Sequence, residues 1–210
     1  MADPSYPFGR AWRDLIADLD RYRVTDQRGL VATLLLSPGS VASIAYRLSR
    51  AVWARRSPLA LAARVPLLLV NRLVEVWSGV SLPPQAQIGP GLYIGHFGQI
   101  IVNGEAVLGA NCNLSQGVTI GVAGRGAERG CPRIGERVYI GPGAKLFGQI
   151  TVGSDAAIGA NAVVTRDVPD CAVVGGVPAT VISRSGSFEF IAYRDMESDP
   201  VRSAAADRAG

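Results

Sequence analysis

The chain has 210 residues, 48% hydrophobic and 18% charged, which excludes a disordered polypeptide and leaves room for one large domain, or one domain and an appendage. The net charge of +4 is mild and the arginines are scattered, so no nucleic-acid partner is expected. Three cysteines, Cys112, Cys131 and Cys171, form no CxxC pair and argue against a zinc ribbon or disulfide framework and for a reducing, cytoplasmic setting.

Met1–Arg10 lacks the apolar core of a signal peptide. From about Phe8 to Trp77 apolar residues follow helical spacing, so residues 1–79 read as a small α-helical region. Leu15, Leu19 and Tyr22 make one stripe. Val41, Ile44, Leu48, Val52 and Trp53 make another, with Ser40 as the expected N-cap. A third helix is expected over Leu59–Trp77, kinked at Pro66. Its apolar stretch, Ser57–Val70, is broken by Arg64 and Pro66 and falls short of the roughly 20 residues a membrane span needs. It reads as a packed helix, and membrane contact is not expected.

From about Val80 to Val181 the period becomes six. An aliphatic residue recurs at Ile88, Ile94, Leu108, Leu114 and Ile120, then at Ile134, Ile140, Leu146, Val152, Ile158 and Val164. Glycine often follows it, and each hexad is too short for a helix. We read each as a short strand and a turn, three to a triangular coil, with the aliphatic residues stacked inward. Asn111, Asp155 and Asn161 fall in turns that favour residues tolerant of positive φ. About five coils result, so residues 80–182 form one stacked column.

The rhythm slips twice. Two extra residues fall between Ile94 and Leu108, read as lying near Asn103-Gly104. Eight more fall between Ile120 and Ile134, so the Gly- and Arg-rich segment 122–133 must leave the column as an excursion loop. Such loops gather on one face of a repeat fold, often the binding face. The only histidine, His96, lies inside the repeat. GGVPA (Gly175–Ala179) breaks the rhythm. Phe188–Arg194 reads as a short strand or helix within a C-terminal extension, 183–210, that is expected to be partly disordered.

Three pieces carry a resemblance: IGPGLYIGHFGQIIVNGEAVLGANCNLSQGVTIG (88–121), CPRIGERVYIGPGAKLFGQITVGSDAAIGANAVVTRDVP (131–169) and VVGGVPATVI (173–182). Together they resemble the hexapeptide-repeat acyltransferases, most closely the serine acetyltransferases, over residues from about 30 to 182. The resemblance implies a left-handed parallel β-helix behind the helical region. It implies a homotrimer and leaves open whether trimers pair through the helical region. It also implies acetyl-CoA as donor, lying in a cleft between columns under the excursion loop.

In that family His96 occupies the place of the catalytic base. An alcohol attacks a thioester poorly until a base takes its proton, and imidazole, with a pKa of about 6.5, suits that task. The resemblance offers Gly121, Val122, Gly141, Pro142 and Gly143 as backbone beside the pantetheine arm, and Lys145 and Arg166 as partners of the CoA phosphates. Backbone N–H groups at the glycine-rich edge are candidate oxyanion donors.

Other positions depart from the family. Its aspartate 15 residues before the base falls at Ser81, its substrate-binding histidine at Cys131, and its later glutamate at Gly104, beside Glu105. Asp26 is the acid nearest the family's helical-domain aspartate. Ser81, Asn103, Glu105, Cys131 and Asp26 are therefore the orienting or acceptor-binding candidates. The rewritten acceptor side makes a sugar hydroxyl in polysaccharide assembly the leading acceptor, and L-serine for cysteine synthesis the alternative. A non-catalytic scaffold would account for the repeat but not for the loop or His96. A zinc site of the γ-carbonic anhydrase type needs three imidazoles, so no metal is expected. The family's tail docks with the next enzyme through a terminal isoleucine. Asp207–Gly210 has none, so that partnership is not expected.

Overall fold

The computed structural model describes residues 6–209. Met1–Ser5 and Gly210, at the ends of the stretches read as leaderless and as partly disordered, lie outside the described residues.

Four helices come first: α1 (Phe8–Asp26), α2 (Leu30–Leu36), α3 (Pro38–Trp53) and α4 (Pro58–Ser78). α3 starts two residues before the expected cap. Ser37 is the N-cap and Pro38 the first helical residue, where a missing N–H costs nothing. Ser40 is inside the helix, its hydroxyl donating to the Ser37 carbonyl at 2.8 Å. The face of α3 that meets the column combines small residues, Gly39, Ala42, Ser43 and Ala45, with Tyr46 and Arg47, all of them buried. A Cβ at Gly39 would lie 2.5 Å from Ile94 Cβ, so the helix backbone sits directly on the repeat.

α4 passes through Pro66 without ending. Contrary to the packed helix expected, most of it is open. Leu59, Leu69, Leu73 and Val76 are between 60% and 81% exposed. Its apolar residues run round the whole circumference, and one neighbouring helix and one strand edge cannot cover them all.

The column has five coils. The first is β1 (Val80–Ser81), β2 (Gln87–Ile88) and β3 (Tyr93–Ile94). The second is β4 (Ile100–Val102), β5 (Val107–Leu108) and β6 (Asn113–Leu114), and the third β7 (Thr119–Gly121), β8 (Arg133–Ile134) and β9 (Tyr139–Ile140). The fourth is β10 (Lys145–Phe147), β11 (Thr151–Val152) and β12 (Ala157–Ile158). The fifth holds β13 (Val163–Val164), a bridge at Val168 and β14 (Val173–Gly175), and β15 (Thr180–Ser183) turns back antiparallel as a cap. Strands stack in parallel into three sheets: A begins with β1, B with β2 and C with β3. The result is the left-handed parallel β-helix expected.

Val102, Ile120 and Leu146 stack inward under sheet A, Ile88, Leu108 and Ile134 under B, and Ile94, Leu114 and Ile140 under C. None is more than 3% exposed, and each burial contributes about 1.5–3 kcal/mol. Asn111, Asp155 and Asn161 occupy turns at φ of 56–58°, as their residue types anticipate.

Strand register moves the first slip. Val102 pairs with Ile120 and Leu108 with Ile134, so the six-residue step from Val102 to Leu108 is regular. The two extra residues therefore lie in the turn between sheets C and A, Gly95–Gln99, and not near Asn103-Gly104.

The segment after β15 also differs from expectation. Phe188–Arg194 forms turns, and Pro200–Ala209 forms a helix, α5. The segment runs back along the outer face of sheet C. The Phe190 ring stacks on Tyr139 at 4.6 Å, Asn113 donates to the Phe190 carbonyl at 3.0 Å, and Ile191 is buried. Arg202 of α5 donates to the carbonyls of Phe188 and Ile191 at 2.6 and 2.9 Å, and Arg194 pairs with Asp20 on α1. The phenylalanines and Ile191 give this polar-looking tail enough apolar surface to dock.

Candidate active site

His96 sits on the lengthened turn between sheets C and A. The two extra residues push this corner outward, and His96 and Phe97 are exposed. Among the described residues the imidazole has no hydrogen-bond or ion-pair partner. The same corner of later coils continues below it as a trough of about 440 Å³, lined by Phe97, Gln99, Gln116, Pro142, Gly143 and Asn161. Strand spacing puts Pro142 about two coils, or about 10 Å, from His96. Gly143 has φ +73°, and a Cβ there would be 2.1 Å from Asn161 Oδ1, so glycine keeps the floor of the trough low. The side-chain oxygen of Gln116 is buried without a partner.

The N–H groups of Gly98, Gly117 and Gly143 are engaged, the first donating to the Ser78 carbonyl at the end of α4 at 2.9 Å and the others to the Gly98 and Gln116 carbonyls of the preceding coils at 3.0 and 2.8 Å. The oxyanion donor sought at this glycine-rich edge is therefore not among these three.

A second group gathers where sheet A turns into sheet B. Asn103 accepts the Glu105 N–H at 2.9 Å and shapes the turn. The excursion loop leaves after β7 and closes on itself, Ala123 and Gly130 exchanging backbone hydrogen bonds at 3.0 and 3.1 Å. Arg129 then forks onto the Glu105 carboxylate at 2.7 and 3.0 Å. Glu105, thus occupied, does not orient His96 within the protomer. Cys131, at the end of the loop, is buried in the core. Burial, then the Glu105 charge, raises its thiol to about 11. A thiol so protonated is a poor nucleophile. Native protein at pH 8 should therefore leave Cys131 unmodified by iodoacetamide until it is unfolded. Peptide mass spectrometry checks this, and fast native alkylation would overturn the neutral-thiol assignment.

The remaining candidates are dispersed. Gly121 and Val122 open the excursion loop, and a Cβ on Gly121 would meet the Phe147 ring at 2.5 Å. Gly141 begins the trough's turn. Lys145 is less free than its sequence suggests, since its ammonium donates to the Gly117 carbonyl at 2.6 Å and to Thr119 at 3.0 Å. Arg166 is exposed and, among the described residues, unpaired, in the fifth coil. Ser81 lines a separate groove of about 450 Å³ between α3, α4 and the first strand. Asp26 accepts the Tyr93 hydroxyl at 2.7 Å, which brings the end of α1 to the strand that leads into His96.

The comparisons bear on this geometry. The family described as Bacterial transferase hexapeptide (six repeats) matches residues 131–166. A serine acetyltransferase of Helicobacter pylori (strain J99) is 33% identical over 184 residues, which span 88% of this chain and 99% of that relative. The chain belongs to the serine acetyltransferase family. A serine acetyltransferase of Synechococcus elongatus is 37% identical over 160 residues, 76% of this chain but 63% of the relative's own length. The chain thus spans less than two thirds of that longer relative. Among solved structures, a serine acetyltransferase in complex with CoA superposes with a TM-score of 0.71 at 31% identity, covering 83% of this chain and 70% of that one.

Within the serine acetyltransferase family, then, the lengthened corner that carries His96 and the closed loop are what this chain's residues build. Sequence pattern alone does not single out Tyr93, Gln116 and Arg129. Tyr93 had a signal, being an outward aromatic three residues before His96. Gln116 and Arg129 had none, because their roles depend on coils stacked far apart in sequence. Among the described residues no single helix is long and apolar enough to cross a membrane.

Proposed function

We propose that the chain transfers an acetyl group from acetyl-CoA to the hydroxyl of L-serine, with His96 as general base. The observation that carries this is an unpartnered, exposed imidazole at the head of a glycine-floored trough, in a chain of the serine acetyltransferase family. The names of the relatives favour serine, and the sugar acceptor of polysaccharide assembly finds no support among them.

In this reading His96 takes the hydroxyl proton as the oxygen attacks the thioester carbonyl. The tetrahedral intermediate then collapses, the C–S bond breaks, and the imidazolium returns the proton to the departing CoA thiolate. The trough suits a narrow amide-bearing chain. Glycine keeps its floor low, and the amides of Gln99, Gln116 and Asn161 line it beside Phe97 and Pro142.

The open apolar face of α4 and the exposed base corner support assembly as a homotrimer in which neighbouring columns complete each cleft. Three buried cysteines, none of them in a disulfide among the described residues, support a reducing, cytoplasmic setting. The test is an acceptor screen with acetyl-CoA, following thiol release. L-serine should turn over while a panel of sugars does not, and light scattering should give three times 22.0 kDa. Turnover of a sugar with none of L-serine would reverse the acceptor assignment.

A further inference from the structure

We propose that the outer face of α1, with the arginines that follow α3, docks the chain on an anionic lipid surface. The contact is with the headgroup layer and needs no span. It is independent of which acceptor the site takes.

The chain's charge is divided unevenly. Residues 1–79 hold eleven arginines and six acids, whereas residues 80–210 hold ten cations and eleven acids. The helical region therefore carries +5 and the rest −1. All three tryptophans, Trp12, Trp53 and Trp77, also lie in the helical region. α1 turns Ala11, Leu15 and Tyr22 inward. Phe8, Trp12 and Ile16, at four-residue steps, make a second apolar stripe on another face. They stay 50%, 63% and 51% exposed.

Arginines border this stripe. Arg13 and Arg56 are exposed. The Arg55 guanidinium stands 3.7 Å from the centroid of the Phe8 ring, which brings the segment after α3 to the start of the stripe. The acids of α1 do not offset these cations. Asp14 and Asp18 are buried against Arg47, Asp20 is paired with Arg194, and Asp26 accepts the Tyr93 hydroxyl. Aromatic rings beside guanidinium groups suit the membrane interface, where the rings enter the acyl boundary and the cations meet lipid phosphates. A second copy of the chain is a poorer occupant. A two-fold contact through this face would bring two sets of arginines together.

The test floats the whole chain with vesicles of phosphatidylcholine, alone or with about one third phosphatidylglycerol. The chain should float with the anionic vesicles, stay in solution with phosphatidylcholine alone, and be released by high salt. Arg13→Gln combined with Arg56→Gln should lower partitioning about 25-fold, since each arginine near an anionic surface contributes about fivefold. Trp12→Gln should lower it about tenfold through lost apolar burial. All three side chains are exposed, so the midpoint of thermal unfolding should hold in both variants. Absence of wild-type flotation, equal flotation with both kinds of vesicle, or wild-type partitioning in both variants would overturn the inference. A wild type that ignores vesicles, and whose mass by light scattering halves in Trp12→Gln, would overturn it too and assign the face to pairing between copies.

Discussion

Replacing His96 with alanine is expected to lower kcat by about 10²–10⁴-fold while leaving the fold and CoA binding in place. The expectation follows from geometry. The imidazole is exposed and, among the described residues, has no hydrogen-bond or ion-pair partner, so its removal breaks no such bond, and the midpoint of thermal unfolding should stay put. It also belongs to a turn two residues longer than the regular corners, whose inward neighbours Ile94 and Val102 remain stacked whatever side chain the turn carries. Single-turnover assays with saturating acetyl-CoA check the rate, and CoA titration by calorimetry checks the trough. A loss under about tenfold, or a loss of CoA binding equal to the loss of rate, would mean that His96 is not the base.

Much of this was legible in the sequence because a period of six leaves only one way to bury Ile88, Leu108 and Ile134 together. The same pattern misplaced the two-residue slip. Ile100, Ile101 and Val102 are all aliphatic, and only the pairing of Val102 with Ile120 tells which of them point inward. The tail was misread for a different reason. Its composition is polar, but Phe190 and Ile191 find Tyr139 and Asn113, residues placed under them by coils more than 45 positions earlier. The candidates at Glu105 and Cys131 were found by position, yet their chemistry depended on Arg129 and on burial, neither of which periodicity encodes. α4 shows the opposite limit, since its apolar run was plain and its partner was not.

The largest loss of stability is expected at Arg47, a residue without catalytic chemistry. Its side chain is fully buried where α1, α3 and the first coil meet. Its Nε and one terminal nitrogen fork onto Asp18 at 2.8 and 2.9 Å, and the terminal nitrogens also donate to the carbonyls of Ile88 and Gly89 at 2.7 and 2.6 Å. Burial works against the cation, but the Asp18 charge and hydrogen bonds outweigh it and hold Arg47 above its ordinary pKa. Arg47→Met would strand the Asp18 carboxylate in the interior with only the Leu92 N–H as donor, and would leave the Ile88 and Gly89 carbonyls short of their partner. Breaking such a buried pair costs about 3–5 kcal/mol, whereas the exposed Arg194–Asp20 pair contributes about 0–1 kcal/mol. Denaturant unfolding of Arg47→Met should show that gap, and the double variant with Asp18→Leu should recover part of it because the stranded charge is gone. A cost below about 1 kcal/mol would mean that the helices are held by the rest of the α3 face alone.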